Sequence, residues 1–303
     1  MNPRNRISLI ALGIVCLLTG PTQAADRNPK IQQAIDRGGT YNSATYTAYV
    51  NSVGAKRTTA MAGMTITLDA GSANPVTIQI IALNGNGIST TNENDLSVVA
   101  VVHFGQFDAE IGGDLSGYKT ASYEDIETSV APLVRQVEVY KVHHHGSAYS
   151  SNDNWLGVIK PMVAVISASS TIGRNYDHPT QECVERLHNA GIKKTYWTEQ
   201  GTGAVAEPGL DVIGGNIIVE TSPGSATFTV TYAGMNVDTY PMWGAASTPT
   251  ISTSSTTPLF AWSKKSNVYH HANCSYVQNI SPQNLETGNT PPPGKTLHQA
   301  CPH

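Results

Sequence analysis

Three consecutive histidines are the residues of this chain best suited to chemistry. Imidazole is the commonest protein metal ligand, and it exchanges protons near neutral pH. His143, His144 and His145 follow a β-branched run and precede Gly146 and Ser147, so the pattern predicts a loop at the end of a strand. Side chains alternate between faces on an extended backbone, and we therefore expect His143 and His145 to share one face and His144 to take the other. A polar loop whose histidines are solvated or hydrogen-bonded is the alternative interpretation.

Two further polar residues also follow predicted strands. Asp114 comes after the apolar residues 96–102 and directly after two glycines, which let the backbone approach a ligand closely. His178 follows residues 162–167, which form a predicted buried strand, and precedes a predicted helix over residues 180–188. In layered α/β folds the ends of neighbouring strands meet at one edge of the sheet. The sequence therefore predicts that Asp114, the histidine loop and His178 converge at such an edge.

Four short strings stand in a fixed order along the chain. They are Asn92-Glu93-Asn94-Asp95, Gly112-Gly113-Asp114, His144-His145-Gly146-Ser147 and Asp177-His178-Pro179. In this order they resemble the second half of metallo-β-lactamase-fold hydrolases, in the branch related to the competence protein ComEC. Residues 139–191 resemble the family best, because Lys160-Pro161 and Ala190-Gly191-Ile192 stand where the family has the same groups.

The resemblance implies a function and a set of site residues. By position, Asp114 and His178 resemble the carboxylate and the last histidine that bind the active-site metals. His144, His145 and Ser147 resemble the residues that line the substrate side, so the resemblance implies catalytic roles for them and for Asp114. The implied cofactor is zinc or manganese, which polarises a phosphoryl oxygen and lowers the pKa of a bound water. The implied activity is metal-assisted hydrolysis of a phosphodiester, with nucleic acid as the foremost substrate class.

One part of the family pattern is missing from this chain. The family carries an early HxHxDH motif that supplies most ligands of the first metal, and this sequence contains no such motif. A catalytic zinc usually has three protein ligands, whereas Asp114 and His178 provide two. A catalytically degenerate scaffold or binding protein is therefore the alternative to an active hydrolase.

The missing motif also predicts an incomplete fold. The family fold is an α/β architecture, a four-layer αββα sandwich, of which this chain would keep mainly the C-terminal half. Without the first strands, the inner face of one sheet would be uncovered unless residues 31–53 or a partner cover it, and a homodimer or a partner chain is the cover that we expect. The residues expected to face this gap are Val98, Ala100, Val137, Val139, Val163 and Val165.

The N-terminal 24 residues have the layout of a bacterial signal peptide. Arg4 and Arg6 precede the apolar residues 7–18, and a small-residue cleavage site ends at Ala24. This predicts export to the periplasm or the extracellular space, without a stable membrane span after cleavage, although a retained anchor is the alternative. The formal net charge of −4 argues against strong sequence-independent attraction to nucleic acid.

The rest of the chain is expected to divide into three parts. A partial metallo-β-lactamase-like domain covers residues 25–235, a Ser/Thr/Pro-rich linker residues 236–258, and a small Cys/His module residues 259–303. So small a module needs a covalent or metal crosslink besides its core. Either a disulfide between Cys274 and Cys301 or a zinc site would serve, and export favours the disulfide. The candidate residues are His270, His271, Cys274, His298 and Cys301.

Overall fold

The structure is a computed structural model that describes residues 7–11, 14–18, 33–170, 176–243, 260–271, 274–288 and 292–298. The chain divides into two units, Met1–Thr248 and Pro249–His303. The described part of the first unit is mixed α/β, with one large mixed sheet and few helices. The predicted cleavage site at Ala24 lies outside the described residues.

The described elements are as follows. The strands of the first unit are β1 (Ile7–Ala11), β2 (Ile14–Leu18), β3 (Ala34–Asp36), β4 (Arg57–Thr59), β5 (Thr65–Leu68), β6 (Val76–Ala82), β7 (Val99–Phe104), β8 (Phe107–Ile111), β9 (Val139–Lys141), β10 (Val163–Ile166), β11 (Lys194–Trp197), β12 (Asp211–Ile213), β13 (Ile218–Glu220), β14 (Thr227–Tyr232) and β15 (Asn236–Pro241). Its α-helices are α1 (Ala44–Val53), α2 (Ile126–Val130), α3 (Asp153–Ile159) and α4 (Gln181–Asn189). The second unit contains β16 (Phe260–Ser263), β17 (Val268–His271), β18 (Leu285–Gly288) and β19 (Thr296–Leu297). Within these described residues, each helix is too short or too polar to cross a membrane.

The large sheet has an antiparallel half and a parallel half. Its eight strands lie in the order β12-β11-β10-β9-β8-β7-β6-β5. Strands β5 to β8 reverse direction at each step and form an antiparallel meander. Strands β8 to β12 run parallel, and helices α2, α3 and α4 lie in the crossover connections that parallel pairing requires. The predicted strand over residues 162–167 and the predicted helix over residues 180–188 correspond to β10 and α4.

Alternate residues of the central strands enter two different cores. In β7, Val99 packs in a core that includes Leu156 of α3, whereas Ala100 packs in a core that includes Phe228 of β14. Successive side chains of a strand point to opposite faces of the sheet. Helices α2 to α4 therefore cover one face of the large sheet, and the three-stranded sheet β13-β14-β15 covers the other.

The expectation of an uncovered sheet face is wrong. Four of the six residues expected to face a gap are buried, namely Ala100, Val137, Val139 and Val163. Val98 and Val165 are partly buried against the core that the large sheet shares with β13 to β15. Strands β13 to β15, from the end of the first unit, cover the face that was expected to be open. The reason for expecting a partner chain on this face is therefore removed.

Two valines of the small sheet test this packing. Val230 is fully buried against the large sheet, whereas Val237 in the neighbouring strand is 55% exposed. Val230→Ala should lower the free energy of unfolding by about 2 kcal/mol, because it removes buried methyl groups and leaves a cavity. Val237→Ala should change it by less than about 0.5 kcal/mol. Urea denaturation of both variants checks the difference, and equal losses would contradict the packing of this sheet on the larger one.

The linker begins later than expected. Residues Asn236–Pro241 form β15 and pair along their length with β14, so the first unit extends beyond residue 235. The carboxylate of Asp238 accepts hydrogen bonds from the Tyr196 hydroxyl at 2.7 Å and from Lys194 Nζ at 2.9 Å. These bonds join β15 to β11 of the large sheet. The remainder of the expected linker, from residue 244 to residue 258, lies outside the described residues.

Candidate functional site

Three adjacent parallel strands lead into the candidate site. Strand β9 pairs in parallel with β8 on one side and with β10 on the other. Because the three strands run in the same direction, the loops that follow them leave from one edge of the sheet. Those loops carry Asp114, His144, His145 and His178. The structure brings these four side chains together, in the arrangement that their positions after strands predict.

The backbone of the histidine loop differs from the extended conformation expected from sequence. His144 has φ 49° and ψ 39°, and His145 has φ 55° and ψ 20°, both in the left-handed region. The strict alternation of faces is therefore wrong: His143 is fully buried, while His145 is partly exposed at the sheet edge. The backbone N–H of His144 donates to the carbonyl of Gly113 at 3.1 Å and ties this loop to the loop that carries Asp114.

Direct contacts hold the site residues in place. Nε2 of His145 lies 3.5 Å from Oδ1 of Asp114. Nδ1 of the same ring lies 2.7 Å from the carbonyl oxygen of Ser167, and a carbonyl only accepts, so this nitrogen carries the proton. The rings of His144 and His178 meet edge to face, with centroids 5.5 Å apart. One carboxylate and three imidazoles thus occupy a single region.

Two ring nitrogens at the site are buried and have no hydrogen-bond partner, Nδ1 of His144 and Nδ1 of His178. Burial lowers the pKa of His178 to about 4, with a further contribution from the neighbouring His144 and His145. Burial also lowers the pKa of His144. Both imidazoles are therefore neutral at neutral pH, the form in which histidine binds a metal.

The donor types at this site suit zinc or manganese, which accept carboxylate oxygen and neutral imidazole nitrogen. Their positions are looser than a metal centre requires. Among the described residues, no three His, Cys, Asp or Glu side chains are grouped so that they could hold one ion. The predicted ligands Asp114 and His178 are thus chemically appropriate and face the same region, but they do not form a closed coordination shell.

The family-like strings do not all face the site. Ser147 is buried, and its Oγ accepts a hydrogen bond from the backbone N–H of Tyr149 at 3.3 Å, so its hydroxyl serves the loop itself. Nδ2 of Asn94 lies 3.3 Å from Nε2 of His144, which links the first string to the histidines. Asp95 is buried and accepts from the Thr90 hydroxyl at 2.7 Å.

Aromatic rings next to the histidines were missed from sequence. The ring of Tyr123 meets His144 edge to face at 5.8 Å and also contacts Tyr149 at 5.4 Å. On the other side, Tyr176 stacks on His178 at 6.0 Å and is 70% exposed. None of these tyrosines stands out in sequence, because their loops have no periodic pattern. They form a continuous row of rings with the two histidines.

A buried pair of carboxylates was also missed. Oε1 of Glu127 lies 2.7 Å from Nδ1 of His143, and Oε1 of Glu110 lies 3.1 Å from Nε2 of the same ring. All three side chains are fully buried. The one available signal was the position of Glu110 in strand β8 between Ala109 and Ile111, where a charged residue at the centre of a sheet is unusual.

The small module has a crosslink of the kind that export favours. Cys274 takes part in a disulfide bond, and a sulfur in a disulfide is not the thiolate that zinc requires. Nδ1 of His270 lies 3.8 Å from this sulfur, and the rings of His270 and His298 have centroids 4.8 Å apart. Cys301 and the side chain of His271 lie outside the described residues.

The chain matches no protein-family model, and a search of curated proteins found no match to it. The mixed α/β architecture and the cluster of site residues therefore carry the functional argument.

Proposed function

We propose that this protein is an exported metal-dependent hydrolase that acts on phosphodiesters, with a fold of the metallo-β-lactamase type. The observation that carries the proposal is the convergence of Asp114, His144, His145 and His178 at the ends of three adjacent parallel strands. Perturbed titratable groups gathered at such an edge are typical of catalytic sites. The residues are also those that resemble the family position by position.

In this proposal, Asp114 and His178 hold the metal. The carboxylate of Asp114 is 38% exposed and can approach an ion, and His178 is neutral at neutral pH. Bound zinc or manganese would supply a hydroxide at neutral pH and polarise a phosphoryl oxygen. His145 is oriented by its bond to the Ser167 carbonyl, so its Nε2 faces Asp114 and the substrate side. His144 lies beside His178 and lines the same side.

The layer arrangement supports the fold part of the proposal. The eight-stranded sheet packs on a second sheet through one face and on helices through the other, as three layers of an αββα sandwich do. The signal-peptide layout supports export. Phosphodiester substrates follow from the resemblance of the His144-His145-Gly146-Ser147 string to the ComEC-related branch.

A binding protein without catalysis is the second candidate. The loose grouping of the donors among the described residues and the lack of an HxHxDH motif in the sequence favour it. Such a protein would keep the sheet edge and its polar loops as a recognition surface. The two candidates differ in whether the cluster binds a metal ion.

Metal content of the purified full-length chain distinguishes them. We expect about one zinc or manganese ion per chain at this site, lost in Asp114→Ala and in His178→Ala because each removes a ligand. His188→Ala is the matched control, since His188 lies at the other end of α4 and contacts Asp211 at 2.9 Å. Elemental analysis after dialysis measures the content.

Retained metal in Asp114→Ala, or equal loss in His188→Ala, would contradict the assignment of the site. A metal-free wild-type chain would favour the binding protein. Hydrolysis of a chromogenic phosphodiester by the same variants then provides the test of catalysis, and it should follow metal content.

A further inference from the structure

The buried cluster of Glu110, His143 and Glu127 has no role in the function proposed above. It joins three elements, because Glu110 lies in β8, Glu127 in α2 and His143 in the histidine loop. Burying carboxylates is costly unless they are paired and hydrogen-bonded. A cluster of this kind directly beside a candidate site therefore calls for a physical explanation.

Every polar group of His143 has a partner. Its ring nitrogens face Glu127 at 2.7 Å and Glu110 at 3.1 Å. Its backbone N–H donates to the Tyr140 hydroxyl at 3.1 Å, and its carbonyl accepts from the Ser150 hydroxyl at 2.9 Å. The orientation of this residue is thus fixed by four contacts, two of them through the ring.

Neighbouring glycines leave the space that the cluster occupies. A side chain at Gly112 would collide with Nε2 of His143 and come within 2.8 Å of Oε1 of Glu110. A side chain at Gly117 would collide with the carboxylate of Glu127. Gly112 is also the residue from which the Asp114 loop begins, so the same close packing acts on both loops of the site.

The two residues after His143 have costly backbone conformations. Left-handed φ values are unfavourable for residues with a side chain, and His144 and His145 both adopt them. Such conformations persist where the surroundings hold them. His143 is the fixed residue immediately before them. The hydrogen bond from the His144 N–H to the Gly113 carbonyl also holds the backbone at this point.

We propose that Glu110 and Glu127 are positioning residues, which hold His143 through both of its ring nitrogens and thereby orient His144 and His145 towards the candidate site. The inference rests on the proposed function for the role that the oriented histidines have there. The positioning itself is a property of the metal-free chain and can be measured separately.

Two substitutions at Glu110 distinguish the effect of its hydrogen bond to His143 from the effect of filling the same space. Glu110→Gln keeps an oxygen that can accept from His143, because the other carboxylate oxygen has no hydrogen-bond partner to lose. Glu110→Leu removes the acceptor. Glu138→Leu is the matched control, because Glu138 is also buried but accepts from the backbone N–H groups of Asp108 and Trp243 instead.

The test uses the full chain in two measurements, the imidazole nitrogen–proton NMR spectrum without metal and the zinc affinity by titration. We expect Glu110→Leu to shift the His144 and His145 resonances. It should also weaken zinc binding by roughly tenfold or more, because His145 contacts the proposed ligand Asp114 and His144 contacts the proposed ligand His178, so both act as residues that orient ligands. Glu110→Gln should keep the histidine resonances and the zinc affinity at their wild-type values. Glu138→Leu should lower the free energy of unfolding but change neither the resonances nor the zinc affinity.

Unchanged His144 and His145 resonances in folded Glu110→Leu, or equal shifts in Glu138→Leu, would overturn the positioning role. If Glu110→Leu does not fold, Gly112→Ala replaces it, because the added methyl presses on the same His143 nitrogen and should shift the same resonances. If the wild type binds no zinc, the proposed function fails, while the spectra still decide the positioning role.

Discussion

Replacing Glu127 with glutamine is expected to lower the free energy of unfolding by about 3–5 kcal/mol, the usual effect of breaking a buried charged pair. Oε1 of Glu127 accepts from His143 and from the backbone N–H of Ser151, and Oε2 accepts from the backbone N–H of Asn152. A glutamine has one oxygen, so in either orientation its NH₂ group faces a donor. The substitution therefore removes a charge and leaves a buried N–H without an acceptor.

Urea denaturation at neutral pH measures the loss. The control is Glu182→Gln in the first turn of α4, where the side chain is exposed and the change should stay within about 0.5 kcal/mol. If the two variants lose equal stability, the buried carboxylate does not hold the loop and the helices together as the contacts indicate.

The second large effect is a fall in stability between pH 6.5 and pH 9. Burial opposes protonation of His143, but the charge and hydrogen bonds of Glu110 and Glu127 outweigh it and raise its pKa to about 9. An unfolded histidine has a pKa of about 6.5. Since the folded pKa is higher, the stabilisation is complete below pH 6.5 and is lost as the pH rises through 9. The difference corresponds to on the order of 3 kcal/mol.

On the acid side, the contribution of His178 to stability should increase as the pH rises. His178 has a folded pKa of about 4, below the unfolded value, because burial disfavours its charged form. Its contribution is therefore present above pH 6.5 and is lost as the pH falls towards 4. The combined contribution of these two histidines is therefore largest near the unfolded histidine pKa of about 6.5, whereas burial raises the pKa of Glu110 and of Glu138 and makes their contributions fall as the pH rises on the acid side.

Denaturation series from pH 4 to pH 9 test both slopes. His143→Gln should flatten the alkaline side alone, and His178→Gln should reduce the acid side alone. Cys183, whose thiol pKa burial raises to about 11, affects stability only near and above pH 9 and so does not produce the fall from pH 6.5 to pH 9. A wild-type profile that stays level or rises from pH 6.5 to 9 would contradict the assignment for His143.

Most strands and the loops of the site could be predicted, because apolar runs and helical periodicity in the sequence indicate them. The predicted strand at residues 162–167 is a continuous apolar run, and the predicted helix at 180–188 has Val184 and Leu187 on one face, as β10 and α4 do. His178 was found because it follows such a run, whereas Asp114 was found from the two glycines before it, since it follows β8 and the apolar residues 96–102 lie one strand earlier, mainly in β7. Hydrophobic periodicity reports which residues enter a core, and so it indicates the elements and the loops between them, with ends that differ here by one residue.

Other features depend on contacts that no local pattern reports. The left-handed conformations of His144 and His145 are rare for histidine, so alternation on an extended strand was the natural and incorrect expectation. The burial of Glu110 depends on its pairing with a residue 33 positions away. Strand β15 was assigned to a linker because its alternating polar residues lie on an exposed edge of the small sheet.

The change from antiparallel to parallel pairing at β8 has a consequence for how the chain assembles. The meander β5 to β8 pairs strands that are neighbours in sequence, whereas each pairing from β8 to β12 must wait for a long crossover to close. We expect the meander to form early and the parallel half later. A chain caught between these stages would present β8 as an open edge, with Glu110 unpaired, and a charged residue on such an edge discourages the wrong strand from adding there.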